Sequence, residues 1–68
     1  MFAVTLIYNG NKFFLRSTIW TADETRATAF VSEDSAKAGL AKAKQFMRAA
    51  QYKAARIEHI EQEYDPMA

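Results

Sequence analysis

The 68-residue chain contains one histidine, His59, and no cysteine. Acid–base or metal chemistry would have to be built from His59 with its neighbours Glu58 and Glu61. In a strand, Glu58 points away from His59, while Glu61 shares its face two positions along. One imidazole and one carboxylate fall short of the three protein ligands a catalytic zinc requires. A surface or half-buried histidine is the plainer reading. Ser17, Ser32 and Ser35 have no base in a suitable sequence context, and neither Gly10 nor Gly39 belongs to a phosphate-cradling loop. Without cysteine there is no disulfide framework, thiol nucleophile or cysteine zinc cluster. The residues therefore predict a protein that is not an enzyme, with no catalytic residue, no metal site and no cofactor.

Binding chemistry is better represented. Lys37, Lys42, Lys44, Arg48, Lys53 and Arg56 follow one another with no acid between Ser35 and Ile57. On one helix, Lys37, Lys44 and Arg48 are seven and four residues apart and share a solvent-facing stripe suited to phosphates or an acidic protein patch. A solvated helix face is the plain alternative. The whole chain carries only +1, with nine Lys or Arg against eight Asp or Glu, and that balance argues against a general nucleic-acid binder. The second candidate set is Phe14, Arg16 and Trp20, with Lys12 at its rim. Trp and Arg are the residue types most enriched in binding hot spots. The alternative for Trp20 is that it ends its strand and folds over the core edge.

The elements that must position these residues follow from pattern. Phe2–Tyr8 and Lys12–Trp20 are rich in β-branched and aromatic residues, and Asn9-Gly10-Asn11 between them is a strong hairpin signal. The turn can centre on Asn9-Gly10 or Gly10-Asn11, and both registers group the same residues. One face carries Phe2, Val4, Leu6, Tyr8, Phe13, Leu15 and Ile19, with Ser17 as its one small polar member, and is assigned to the core. The other carries Ala3, Thr5, Ile7, Lys12, Phe14, Arg16, Thr18 and Trp20.

Residues 21–26 read as a loop and Ala27–Val31 as a short third strand. Ser32 sits where a helix N-cap belongs, with Glu33 and Asp34 in the first turn. The helix is expected to run to about Gln51, with Ala36, Leu40, Ala43, Met47 and Ala50 as an apolar stripe broadened by Gly39 and Phe46. Gly39 predicts a close approach to a bulky strand residue. Ala54 to about Glu61 reads as a fourth strand. The expected fold is α+β, β-β-β-α-β, an antiparallel sheet with one helix packed on one face. Residues 1–61 form one domain and 62–68 a tail that frays. One helix covers one face of a sheet, so the face bearing Phe14 is expected to be open unless a partner, or a second copy in a homodimer, covers it.

Area scaling for a chain this short allows only about 60% of the surface to be buried, which leaves no room for a substrate-enclosing cleft. The apolar run Phe2–Tyr8 is too short to span a membrane and has no basic residue before it. No membrane association is expected, and the predicted location is the cytoplasm, the host's if the chain is phage-encoded.

The strand before Asn9-Gly10-Asn11-Lys12-Phe13-Phe14, then Trp20-Thr21, Ala27 to Phe30 with Ser32, Ala36 with Leu40, and Ala55-Arg56-Ile57 form a pattern. It resembles small phage and prophage proteins of ββ(β)αβ type, a group that includes anti-CRISPR proteins. The resemblance covers roughly residues 2–61 and carries over no functional residue. It implies a small accessory protein that occludes a host or defence complex. Phe30-x-Ser32 leading into Ala36 and Leu40 is also similar to the third strand and helix of the three-stranded DNA-binding domains of phage integrases and AP2-type factors. The added strand at 54–61 and the acidic tail depart from that pattern. Binding of a protein complex is thus the first expectation, and nucleic-acid binding through the basic helix face or the open sheet face is the alternative.

Overall fold

The computed structural model describes residues 1–60. The expected fraying tail, 62–68, lies outside them. The fold is α+β: a four-stranded antiparallel sheet in the order β3-β2-β1-β4, with helices on one face. Strands β1 (Phe2–Tyr8) and β2 (Asn11–Arg16) pair with Thr5 opposite Phe14 and Tyr8 opposite Asn11. That register centres the turn on Asn9-Gly10, and both residues take positive φ (52° and 79°), as a type I′ turn requires.

The expected long second strand is instead two strands. A two-residue turn at Ser17-Thr18 reverses the chain into β3 (Ile19–Thr21), which pairs Arg16 with Ile19 and Leu15 with Trp20. Ser17 holds φ 56°, uncommon for a residue with a Cβ. Its amide is held by the Thr28 hydroxyl, which accepts it at 2.9 Å. The reversal exchanges the faces of everything after Arg16. Ile19, assigned to the core, lies on the opposite face and is 60% exposed, whereas Trp20 packs into the core.

The expected strand at 27–31 reduces to one bridge, Phe30 to Phe2. β1 and β2 pair only as far as Thr5 and Phe14, and this segment fills the place between them: Phe30 exchanges two 2.8 Å bonds with Phe2, and the Thr28 amide donates to the Leu15 carbonyl at 3.0 Å. The third strand of the expected β-β-β-α-β order is thus Ile19–Thr21.

Ser32 caps α1 (Glu33–Ala43) as expected, its hydroxyl accepting the Ser35 amide at 3.1 Å. The helix does not reach Gln51. It tightens into a 3-10 turn at Lys44–Phe46, passes through extended Met47 and Arg48, and restarts as α2 (Ala49–Ala54), where the Gln51 side chain accepts the Arg48 amide at 3.0 Å. The break lets the chain double back to β4 (Arg56–His59), which pairs antiparallel with β1. It also turns Phe46 out of the apolar stripe, leaving it 60% exposed, and exposes Ala50.

Both faces of the sheet carry core. On the helical side Val4, Leu15, Ala36 and Ala43 are fully buried, packed by Phe30, Trp20, Leu40 and Met47. Gly39 meets Phe30 there, where an added Cβ would lie 2.5 Å from the ring tip; the expected bulky neighbour is this bridging residue. On the other side Ala3, Phe14, Ala27 and Ile60 form a second, smaller cluster. The expected open face is therefore closed over its centre by residues of the 22–30 segment and the end of the β4 segment.

Candidate interaction surface

Phe14, Arg16, Trp20 and Lys12 were expected to form one surface; the structure separates them. Phe14 is 7% exposed beneath Ala27 and Ile60. Trp20 lies on the opposite face, because the Ser17-Thr18 turn reverses its parity. Its indole Nε1 is buried without a hydrogen-bond partner among the described residues, beside a cavity of about 110 Å³ lined by Leu6, Tyr8, Phe13 and Gln51. Arg16 is exposed but directs Nη1 to the Arg26 carbonyl at 3.3 Å, fastening the covering loop. Self-association that depends on burying Phe14 twice loses its basis, since the chain buries Phe14 itself.

Lys12 belongs to a polar strap over that face. Its Nζ lies 2.9 Å from Glu58 Oε1 and 5.6 Å from the centre of the Phe14 ring. The buried Thr5 hydroxyl donates to Glu58 Oε2 at 2.5 Å. These bonds hold the Glu58 carboxyl below its ordinary range, the Thr5 hydroxyl contributing most and Lys12 next, against a smaller opposing effect of burial. Glu58 thus points away from His59, as strand geometry requires. His59 sets its ring edge-on to Phe2, with centroids 5.3 Å apart. Glu61 lies outside the described residues. Among the described residues no group of three or more His, Cys, Asp or Glu is placed to hold a metal.

The loop across the second face is locked locally. Asp23 caps the 3-10 turn Glu24–Arg26 by accepting the Thr25 amide at 2.9 Å and the Thr25 hydroxyl at 2.6 Å. Those bonds, with a smaller contribution from Arg26, hold its carboxyl below the ordinary range. Asp23 and Glu58 serve the fold.

The basic residues are all exposed, but not as one stripe. Lys37 stands on α1, Lys44 on the 3-10 turn and Arg48 at the start of α2, so the break at 47–48 ends the seven-and-four spacing. Lys44 Nζ lies 4.9 Å from the centre of the Tyr52 ring, linking the two sides of the break. The two ion pairs among the described residues are Lys12–Glu58 and Arg26–Asp23, and neither uses a helical cation.

The break creates a feature that the periodicity did not show. An open groove runs between the β2–β3 turn and the end of α1, lined by Thr18, Ala41, Lys42, Lys44, Phe46 and Met47. Lys42 and Phe46 were absent from the expected binding set. The one trace in the sequence is Gln51, three residues after Arg48, in the position of a capping side chain. Arg48 is not a typical cap residue, so the pattern passed as helix interior.

No helix among the described residues is long and apolar enough to cross a membrane. Comparison with protein-family models, with curated proteins and with solved structures finds no significant match to any of them.

Proposed function

We propose that the chain is a small non-enzymatic accessory protein that acts by binding a macromolecular partner, with its helical side as the contact surface. The carrying observation is the 60%-exposed Phe46, which lines a groove with Lys42 and Lys44 in a stretch of chain without a single acid. An exposed Phe on so small a surface costs hydration that a partner would recover, about 1.5–3 kcal/mol for full burial. The sheet face bearing Phe14 offers less, because its aromatic is already covered. Read through the resemblance to small phage proteins, the partner is a host or defence protein complex in the host cytoplasm, occluded by anti-CRISPR-like steric blocking. The near-zero net charge favours a protein over nucleic acid.

The test is affinity capture from host lysate, with and without nuclease, using the wild-type chain, Phe46→Ala and Arg16→Glu. The reading expects a nuclease-resistant protein partner that Phe46→Ala loses and Arg16→Glu keeps. Loss of every partner on nuclease treatment would replace it with the nucleic-acid reading. Retention by Phe46→Ala with loss by Arg16→Glu would move the surface back to the sheet.

A further inference from the structure

The groove between the β2–β3 turn and the end of α1 combines three features. Its apolar surface is Ala41, Met47 and the outward ring of Phe46. Its charges are Lys42 and Lys44, one from the last turn of α1 and one from the turn that follows it. Among the described residues no carboxylate lines it, and the acids nearest in sequence to its two lysines are Asp34 and Glu58. Lys44 is held beside the Tyr52 ring, so one wall has a positioned positive charge instead of a freely waving one. Met47 is anchored in the core on one side and borders the groove on the other, which gives the floor a fixed base.

From this charge and shape we infer that the groove is a docking site for an acidic protein segment that carries an aromatic or large aliphatic anchor. The anchor lies against Phe46 and Met47, and carboxylates on either side of it face Lys42 and Lys44. A phosphate backbone would need a track of cations, and among the described residues two line this groove. An anchor between two carboxylates uses both lysines and the apolar floor together. The inference rests on the reading above that the chain works by binding a protein, and it assigns that partner's contacting chemistry.

The probe is a displayed library of random twelve-residue peptides selected on the full chain. Binding of the selected peptides is then measured by fluorescence anisotropy and mapped by amide chemical shifts. The expected peptides are rich in Asp and Glu around one Phe, Trp, Tyr or Leu. They shift the amides of Thr18 and residues 41–47. Their affinity falls about tenfold or more in Phe46→Ala and in the Lys42→Glu, Lys44→Glu pair. Unchanged urea midpoints in these variants show that the fold is intact, and Lys37→Glu serves as a charge control that leaves binding within about twofold.

Peptides without acids, shifts elsewhere, or indifference to both variants would overturn the inference, as would a library yielding no binder. So would a single-stranded oligonucleotide that displaces the peptides and shifts the same amides, or self-association that broadens those amides in the free protein. Lysate capture separates the two failures: a protein partner still lost on Phe46→Ala with no acidic peptide selected leaves the binding reading standing and removes only this chemistry. Acidic peptides that bind the groove without any captured partner do the reverse.

Discussion

Replacing Gly39 by Ala should destabilise this protein, although Ala is the better helix former. At an exposed helix interior the change gains about 1 kcal/mol. Here the new Cβ would lie 2.5 Å from Phe30 Cζ and 2.7 Å from Cε1. The ring cannot simply swing aside. Phe30 is tied to Phe2 by two backbone bonds of 2.8 Å, and its side chain packs in the cluster of Val4, Leu15 and Ala36. Forcing a methyl into such a contact costs typically about 1–3 kcal/mol, and the loss of Gly39's close fit comes on top of any displacement of α1 from the sheet. A 2.5 Å approach puts the cost in the upper part of that range, about 2–3 kcal/mol, so net destabilisation of about 1–2 kcal/mol is expected once the propensity gain of about 1 kcal/mol is subtracted. For a chain of this size that lowers Tm by roughly 4–15 °C. Thermal and urea unfolding of Gly39→Ala, Phe30→Leu and the double variant make the assay. The double variant should recover part of the loss, because a smaller residue at 30 makes room for the methyl. A Gly39→Ala protein as stable as wild type or more so, or a double variant showing strict additivity, would refute the close-packing account.

The remaining expectations concern the two faces of the sheet. Trp20→Ala should cost about 2–4 kcal/mol and unfold much of the population, because Trp20 packs in the core, whereas Trp20→Phe should cost less by removing an indole N–H that has no partner among the described residues. Circular dichroism and urea midpoints check both, and a fully stable Trp20→Ala would show that the ring is not core. Stability should be level above about pH 4.5 and fall below it, since Glu58 and Asp23 both have folded pKa values depressed below their ordinary 4.5 and 3.8. Depressed carboxylates stabilise when ionised, and that contribution is lost as pH falls through the folded values. Glu58→Gln should flatten the slope in urea midpoints between pH 3 and 6, and an unchanged slope would remove Glu58 from the account. Arg16→Glu should change stability by no more than about 1 kcal/mol, since it loses one exposed bond to the Arg26 carbonyl.

What was legible in the sequence were features with a local cause. Asn9-Gly10 sets a turn by its own backbone preference, Ser32 caps a helix by its own hydroxyl, and alternation in Phe2–Tyr8 assigns faces without reference to the rest of the chain. Failure came where distant contacts overrode local preference. Ser17-Thr18 contains neither Gly nor Asn, and its reversal is held by Thr28, eleven residues away from Ser17. The interruption at 47–48 has no Pro or Gly to announce it; it follows from having to bring Arg56 alongside Thr5 within a short chain. Each error then propagated by parity or period. One turn moved Trp20 from the proposed binding face into the core, and one helix break moved Phe46 from the core to the surface.

Those two exchanges decide where an interaction can occur. A sheet with a single helical layer must still cover its second face, and this chain covers the centre of that face with its own loop, at Ala27 and Ala29, and with Ile60. Alanines make such a cover possible because the loop can lie close to Phe14, and the Lys12–Glu58–Thr5 strap closes the polar margin. With Phe14 covered and Trp20 internal, the most exposed aromatic among the described residues is Phe46, which lines the groove with Lys42 and Lys44. The helix breaks where the chain must return to pair β4 with β1, and the break turns Phe46 outward. The candidate contact surface is thus a consequence of closing the fold, and a variant that straightens 44–48 into continuous helix would have to lose the groove and the return to β4 together.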